Sequence, residues 1–321
     1  MENILKGKSV DQIITDLLQE LADELPGLRG KKYKFFLELW NSEENWNLRS
    51  KLSGEGIISL GDGAYAIRDT ILPVLYLFVG EDSALLVDTG LGYPELPERI
   101  KKLTGGKPLT VTATHASPLT MGGAAYFDGV HLPKSEVPMA KWLCSPKIRK
   151  GFALLNPARL VLHNGAKVSE EKGRVVVDDA SKYDLGGRTI HVIKTPGSTR
   201  GTRCFRDDKT GITVTGELLG PVAFSIFPNS PSLSEYEKSL DLLENEAGDG
   251  EKYGMWSARP LRGDREVEFH KLIDSAVSDG NSTERLVGVK IAPSRNALLL
   301  YFPWRARHRK WSEKFSKIWK N

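Results

Sequence analysis

Cysteine is scarce in this chain, and long apolar runs are absent. The 321 residues include two cysteines, Cys144 and Cys204, too few for a zinc knuckle or a disulfide framework. No apolar run approaches the ~20 residues that a membrane-spanning helix needs, and the first residues lack the apolar stretch of a secretory signal. From these absences we expect a reduced, cytoplasmic protein.

Most of the chain also lacks an excess of basic over acidic residues, although the net charge is +4. Residues 301–321 carry seven Lys or Arg and one Glu, a net charge of +6, so the other 300 residues sum to −2. A nucleic-acid-binding face needs basic groups spread over the folded surface. The charge pattern therefore gives no clear indication of a nucleic-acid partner, and nothing in the sequence indicates the oligomeric state.

The two ends of the chain differ from its middle. Apolar residues at helical spacing over 9–25 predict a helix within an N-terminal extension of residues 1–50. Residues 301–321 predict a basic amphipathic C-terminal helix, whose apolar face either docks on its own domain or contacts a membrane surface. Residues 51–300 are predicted to form the main domain between these two segments.

Short strand patterns dominate the main domain, with helices between groups of strands. Apolar or alternating runs predict strands such as 64–68 and 189–194, whereas helical spacing predicts helices at 94–103, 232–246 and 264–279. This arrangement indicates layered sheets flanked by helices.

Four loop motifs follow one another in a specific order. They are Ala84-Leu85-Leu86-Val87-Asp88-Thr89-Gly90, Thr114-His115-Ala116-Ser117-Pro118-Leu119-Thr120-Met121-Gly122-Gly123, Thr195-Pro196-Gly197-Ser198-Thr199 and Thr215-Gly216-Glu217. Each resembles a motif of the metallo-β-lactamase fold superfamily, and the resemblance runs from about residue 57 to residue 260. It implies an α+β fold, the four-layer αββα sandwich, in which two mixed β-sheets pack face to face with helices outside.

The same resemblance implies that most metal-ligand positions are substituted. The family's metal loop has the pattern Thr-His-x-His-x-Asp-His, and only its first histidine, His115, is present in this chain. Ser117, Leu119 and Thr120 stand at the next three ligand positions, and Ser198 stands at the position of the following histidine.

The remaining ligand positions are also changed. Glu217 replaces the family's bridging aspartate, and no histidine lies between His191 and His270, where the last ligand is expected. A catalytic zinc site needs about three protein ligands. We therefore expect no metal ligands and no cofactor, with zinc in a rearranged site as the alternative.

Three functions are compatible with these residues. The first is a metal-independent enzyme that performs acid–base chemistry (as a lyase, cyclase, isomerase or hydrolase) on a small molecule, with His115 and Glu217 as its proton-handling pair. The second is a noncatalytic protein that binds a ligand or partner through the same cleft. The third is a metal-dependent hydrolase with a rearranged site.

Two serines are candidate catalytic residues beside His115. Ser117 and Ser198 are expected to line the old metal cavity, where either could be a nucleophile that His115 activates. The alternative is that these hydroxyls only fill the space that metal and imidazoles occupy in the family.

The candidate substrate-binding residues are Thr120, Trp142, Trp256 and Arg259. Trp142 lies in the loop predicted for residues 133–156, which either borders the substrate cleft or packs on the N-terminal extension. The resemblance places Trp256 and Arg259 where the family's last metal-site loop comes near the cavity, and an arginine there can bind an anion.

Overall fold

The computed structural model describes residues 56–68, 73–92, 94–145, 173–256, 258–261, 263–278, 284–286, 289–293 and 297–301. The predicted N-terminal extension, residues 1–50, lies outside these ranges. The predicted C-terminal helix also lies outside them, except for Tyr301, which ends a strand.

Groups of short strands alternate with helices along the chain. In chain order the elements are β1 (Ile57–Gly61), β2 (Ala64–Arg68), β3 (Val74–Val79), β4 (Ala84–Val87), α1 (Leu96–Thr104), β5 (Leu109–Thr112), α2 (Pro118–Met121), β6 (Val130–Leu132), α3 (Val137–Leu143), β7 (Val175–Val177), β8 (Lys182–Asp184), β9 (Thr189–Lys194), β10 (Arg203–Asp207), β11 (Thr213–Gly216), β12 (Val222–Ser225), α4 (Leu233–Ala247), β13 (Lys252–Gly254), α5 (Arg265–Val277), β14 (Glu284–Leu286), β15 (Val289–Pro293) and β16 (Leu298–Tyr301). Short 3₁₀ turns cover Ala124–Tyr126 and Lys134–Glu136.

The strands form three sheets. The first contains β1 to β7 in chain order, antiparallel from β1 to β4 and parallel from β4 to β7. The second has the order β13-β11-β10-β9-β8, with β11 and β13 parallel. The third has the order β12-β16-β15-β14, with β12 and β16 parallel. The first two sheets are therefore mixed, as predicted, and the third was not predicted.

Successive side chains of β4 pack into apolar clusters on opposite faces of the first sheet. Leu86 of β4 packs with Leu96 and Ile100 of α1, whereas its neighbours Leu85 and Val87 join a second apolar cluster on the opposite face. Side chains of a strand point alternately to its two faces, so a central strand that is covered on both faces has a continuous apolar sequence. This explains the unbroken run in β4.

Three apolar clusters fill the spaces between layers. One lies between the first sheet and helices α1 to α3, and a second, with Phe78 and Phe205, joins the first and second sheets. The third packs Cys204 of β10 and Tyr301 of β16 against Tyr236 of α4 and against α5. The order helix, sheet, sheet, helix confirms the predicted αββα sandwich.

One local prediction is wrong. Residues 133–156 were expected to form a loop, but Val137–Leu143 is a helix. Pro138 lies in its first turn, where the missing N–H leaves no hydrogen bond unmade, and Met139 and Ala140 are buried against the first sheet. Burial of that short apolar face stabilises a helix that the proline and basic residues obscure in the sequence.

Candidate active site

Asp88 and His115 lie at the same edge of the first sheet. Asp88 follows β4 and His115 lies just beyond β5, and these two strands are parallel neighbours, so their carboxyl ends are adjacent. The Asp88 carboxylate accepts the Thr114 backbone N–H at 2.8 Å and the Thr114 hydroxyl at 3.1–3.2 Å. Asp88 has a φ of 69°, a left-handed conformation that aspartate tolerates better than most residues. These bonds fix the start of the loop that carries His115.

The turn after Asp88 packs directly on the end of that loop. The Thr89 N–H donates to the Thr120 carbonyl at 2.7 Å. A Cβ on Gly122 would lie 2.5 Å from the Gly90 carbonyl oxygen, and a Cβ on Gly123 would lie 2.5 Å from that of Thr89. Such distances are below van der Waals contact, so the two backbones can approach only because both positions are glycine.

His115 and Glu217 face each other inside the protein. His115 is fully buried, and 4% of Glu217 is exposed. His115 Nε2 lies 3.2 Å from Glu217 Oε1, and neither atom has a hydrogen-bond partner among the residues that the structure describes. A buried polar atom without a hydrogen bond costs about 1–3 kcal/mol of stability. The fold therefore loses stability by holding these two atoms here.

Thr114 determines the tautomer of His115 when Asp88 is ionised. The Thr114 hydroxyl lies 3.1–3.2 Å from the Asp88 carboxylate and 3.2 Å from His115 Nδ1. A carboxylate only accepts, so the hydroxyl donates to Asp88 and accepts from Nδ1–H. A neutral His115 then presents the lone pair of Nε2 towards Glu217.

Burial also acts on Asp88 itself. Desolvation raises the pKa of Asp88 to about 7, while the hydrogen bonds from Thr114 and the nearby His115 oppose the shift. Asp88 therefore changes charge near neutral pH, next to the residue that orients His115.

Ser117 and Thr120 bond within their own loop. Thr120 Oγ1 donates to the His115 carbonyl at 2.6 Å and accepts the Ser117 N–H at 3.1 Å. The Ser117 hydroxyl lies 3.1 Å from the same Thr120 oxygen. The structure thus brings Thr120 to the backbone of His115, whereas the hydrogen bond of the Ser117 hydroxyl is to Thr120 and not to the His115 ring.

Ser198 belongs to a separate hydroxyl cluster. Its hydroxyl lies 3.2 Å from Thr202 Oγ1, and its carbonyl accepts the Ser230 hydroxyl. Thr199 Oγ1 lies 3.0 Å from the same Thr202 oxygen. The hydrogen bonds of both predicted serines are made to neighbouring loop residues, which leaves Glu217 as the polar side chain in contact with His115 Nε2.

Glu136 connects the loop after His115 with the loop that contains Ser198, and no sequence motif indicated this role. This fully buried carboxylate accepts the Ala116 N–H at 2.7 Å and the Gly201 N–H at 2.9 Å, and the Asn229 side chain donates to it at 3.3 Å. A Cβ on Gly201 would lie 2.4 Å from Glu136 Cγ. The only sequence signal is a glycine that permits this approach.

The predicted substrate-binding residues are spread over several elements. Trp142 lies on α3 and is 49% exposed, and Arg259 is exposed in the segment after β13. Trp256 is half-buried directly after β13, and a Cβ on Gly220 would lie 2.3 Å from its Nε1. Trp256 is thus placed beside the turn that contains Glu217.

The side chains around His115 do not fit a zinc site of the family's kind. In the ranges that the structure describes, no group of three or more His, Cys, Asp or Glu side chains could hold a metal ion. His131 of β6 pairs with Asp178 at 2.8 Å, and the Asp88 carboxylate is occupied by Thr114. His115 and Glu217 supply two ligands, one fewer than a catalytic zinc site needs.

The αββα layering and the loops at these strand ends define a protein of the metallo-β-lactamase type. Residues 70–253, more than half of the chain, match the model of the metallo-beta-lactamase superfamily, and the chain belongs to this superfamily.

Relatives of known sequence share only part of their length with the chain. Acyl-coenzyme A thioesterase MBLAC2 from Homo sapiens is 24% identical over 186 residues, which are 50% of this chain and 65% of that protein. The protein of the same name from Gallus gallus is 23% identical over 193 residues and 64% of its length. The chain thus matches less than two thirds of these relatives.

Solved structures agree with the fold. A metallo-beta-lactamase from Pontibacter korlensis superposes with a TM-score of 0.50 and 13% identity, covering 68% of this chain and 98% of that one. The sec-alkylsulfatase Pisa1 from Pseudomonas sp. gives 0.53 and 12%, covering 70% and 42%. At these identities the likeness concerns the fold alone. Within the described part of the chain, none of the helices has the length and apolar character of a membrane span.

Proposed function

We propose that this protein is a metal-independent hydrolase of small acyl compounds, with His115 and Glu217 as its proton-handling pair. The observation that carries the proposal is the pair of buried, facing atoms Nε2 and Oε1, 3.2 Å apart and without hydrogen bonds. A base must have a free lone pair within reach of the proton that it removes. The network through Thr114 leaves that lone pair on Nε2.

The relatives named acyl-coenzyme A thioesterases make a thioester the first substrate to test. In hydrolysis, His115 Nε2 takes a proton from water while the water oxygen bonds to the acyl carbon and the carbonyl electrons move to oxygen. The tetrahedral intermediate then releases the thiolate, which takes the proton from His115, to give a carboxylic acid and a thiol. The Glu217 carboxylate stabilises the intermediate imidazolium.

The test is thiol release from acyl-coenzyme A thioesters of two to sixteen carbons by protein that contains no metal by elemental mass spectrometry. We expect His115→Ala and Glu217→Gln each to lower kcat by about 10²–10⁴-fold, the usual contribution of a general base. Matched controls are His191→Ala on β9 and Glu246→Gln on α4, since both side chains are exposed. Turnover that survives His115→Ala, or that a chelator abolishes and zinc restores, would overturn the proposal.

A second candidate function is noncatalytic ligand binding through the same cleft. It is favoured by the hydroxyls of Ser117 and Ser198, whose loop neighbours Thr120 and Thr202 hold them by hydrogen bonds, so that neither serine is directed at His115 as a nucleophile. This function predicts no thiol release from any thioester but a rise in Tm with the bound ligand. A thermal shift series with the same acyl compounds separates the two functions.

A further inference from the structure

The Trp256 indole is an unsatisfied hydrogen-bond donor within the described part of the chain. Its Nε1 atom is buried and has no hydrogen-bond partner among the described residues. An indole N–H is a donor only and does not ionise at ordinary pH, so it cannot remove the cost of burial by changing its protonation state. Buried donors in folded proteins are nearly always satisfied by protein or by bound water or ligand.

This donor is held at the turn that carries Glu217. Strands β11 and β13 are parallel neighbours, with Gly216 opposite Gly254, and the Met255 N–H donates to the Gly216 carbonyl at 2.8 Å. Glu217 and Trp256 therefore follow the carboxyl ends of two adjacent strands. Ligands of layered α/β proteins commonly bind at this end of the strands.

Gly220 permits the approach of the indole to this turn. The Gly220 N–H donates to the Glu217 carbonyl at 3.0 Å and closes the turn. A Cβ on Gly220 would lie 2.3 Å from Trp256 Nε1, so any other residue at this position would displace the ring. Three unpartnered buried atoms, those of His115 and Glu217 and this indole N–H, are thus assembled around one turn.

We infer that Trp256 Nε1–H binds the carbonyl oxygen of the substrate and stabilises the negative charge that develops there during attack. This role deepens the proposed function and rests on it. The indole N–H is neutral and donates one hydrogen bond, which suits a carbonyl oxygen because that oxygen accepts one. Donors aimed at a developing oxyanion supply much of the catalysis in acyl transfer.

The kinetic test compares Trp256→Phe, which keeps an aromatic ring and removes the N–H, with the wild type. We expect kcat for the best thioester to fall about 10- to 100-fold with KM changed less than about threefold, because the contact strengthens only in the transition state. The control is Tyr183→Phe, which removes a donor from a partly buried aromatic residue of β8 that bonds to Asp178. Equal kcat in wild type and Trp256→Phe would overturn the inference.

A second variant tests whether catalysis depends on the close approach of Trp256 to Gly220. Gly220→Ala should displace the indole and lower kcat by a similar factor, and Gly220→Ala combined with Trp256→Phe should be no worse than the more damaged single variant. If the fold-losses in kcat of the two single variants multiply in the double variant, the two positions act independently and the inference that they act together is wrong.

A binding test does not depend on turnover. The indole ¹⁵N–¹H signal of Trp256, assigned by its loss in Trp256→Phe, is followed during titration with two coenzyme A analogues. The ketone analogue, with a methylene in place of the thioester sulfur, should shift the signal downfield, whereas the ethyl thioether, which has no carbonyl, should not. A signal that moves with neither analogue, or equally with both, would overturn the inference.

The outcomes separate the inference from the proposed function. If His115→Ala abolishes turnover and Trp256→Phe does not affect it, the proposed function stands and the inference fails. If no thioester is hydrolysed but the ketone shifts the indole signal, the carbonyl site stands and the hydrolytic function fails.

Discussion

Asp88 holds Thr114 by two groups at once, accepting its backbone N–H at 2.8 Å and its hydroxyl at 3.1–3.2 Å. The first bond fixes the backbone at the end of β5, and the second orients the hydroxyl that faces His115 Nδ1. One carboxylate therefore determines both the position and the hydrogen-bonding state of the imidazole, although it does not contact the ring.

The ionisation of Asp88 should make stability depend on pH. Its pKa is about 7 in the folded protein against an ordinary value of 3.8, so the folded state binds more protons between these values and this contribution falls as pH rises from about 4 to 7. Asp88→Asn removes the effect. By chemical denaturation, the unfolding free energy of Asp88→Asn relative to wild type should rise by up to about 4 kcal/mol between about pH 4 and pH 8.

The exposed residue Asp249 provides the control, because Asp249→Asn should change little over the same range. A difference between Asp88→Asn and wild type that is independent of pH would show that Asp88 is ionised throughout.

Glu136 should be critical for stability although it does not contact His115 Nε2. Glu136→Ala leaves the N–H groups of Ala116 and Gly201 buried without acceptors, which we expect to cost about 3 kcal/mol or more. Glu246→Ala, on the exposed surface of α4, should cost less than about 0.5 kcal/mol. Urea denaturation measures both, and similar values for the two variants would mean that other groups satisfy the loops.

A buried ion pair at the edge of β9 and β10 in the second sheet also contacts the first sheet. Arg188 Nε lies 3.1 Å from Asp207 Oδ1, both side chains are fully buried, and Arg188 also donates to the Val79 carbonyl at 2.9 Å. Asp207→Asn leaves the guanidinium charge uncompensated and should cost about 3–5 kcal/mol.

The double variant Arg188→Met with Asp207→Asn tests the source of that cost. It should be less destabilised than the sum of the single variants, because no unpaired charge remains. Additive losses in urea denaturation would mean that the two side chains contribute separately.

Metal content is the direct test of the donor set around His115. Protein purified without an affinity tag, then exposed to zinc and dialysed, should retain close to no zinc by elemental mass spectrometry, because two ligands bind it weakly. His115→Ala serves as the matched control and should give the same value. A stoichiometry of one or two that His115→Ala removes would show that other residues complete a site.

Short-range patterns predicted the fold well. Strands β2 and β9 have the predicted bounds, and α1, α4 and α5 end within two residues of prediction. Apolar periodicity is strong in these elements because each buries one or both faces. Strands β6, β8, β12, β13 and β14, each of three or four residues, were not predicted, since segments this short carry little periodic signal.

The site was predictable only in part. The pairing of His115 with Glu217 was expected from the resemblance of their two motifs to the family's metal-site loops, and the two side chains lie 3.2 Å apart. Glu136 and Gly220 could not be found in this way, because each acts through a backbone approach between segments that are distant in the chain. Such contacts depend on the packing of loops, which leaves no periodic signal.

The glycine contact between Gly122 and the Gly90–Leu91 turn has a consequence for protein engineering. The loop that begins at His115 is held by this backbone packing and by the hydrogen bonds to Asp88, contacts that do not depend on the side chains at the family's ligand positions. Replacing Ser117, Leu119, Thr120 and Ser198 with the family's ligands would therefore leave the anchors of the loop in place while adding donors for zinc.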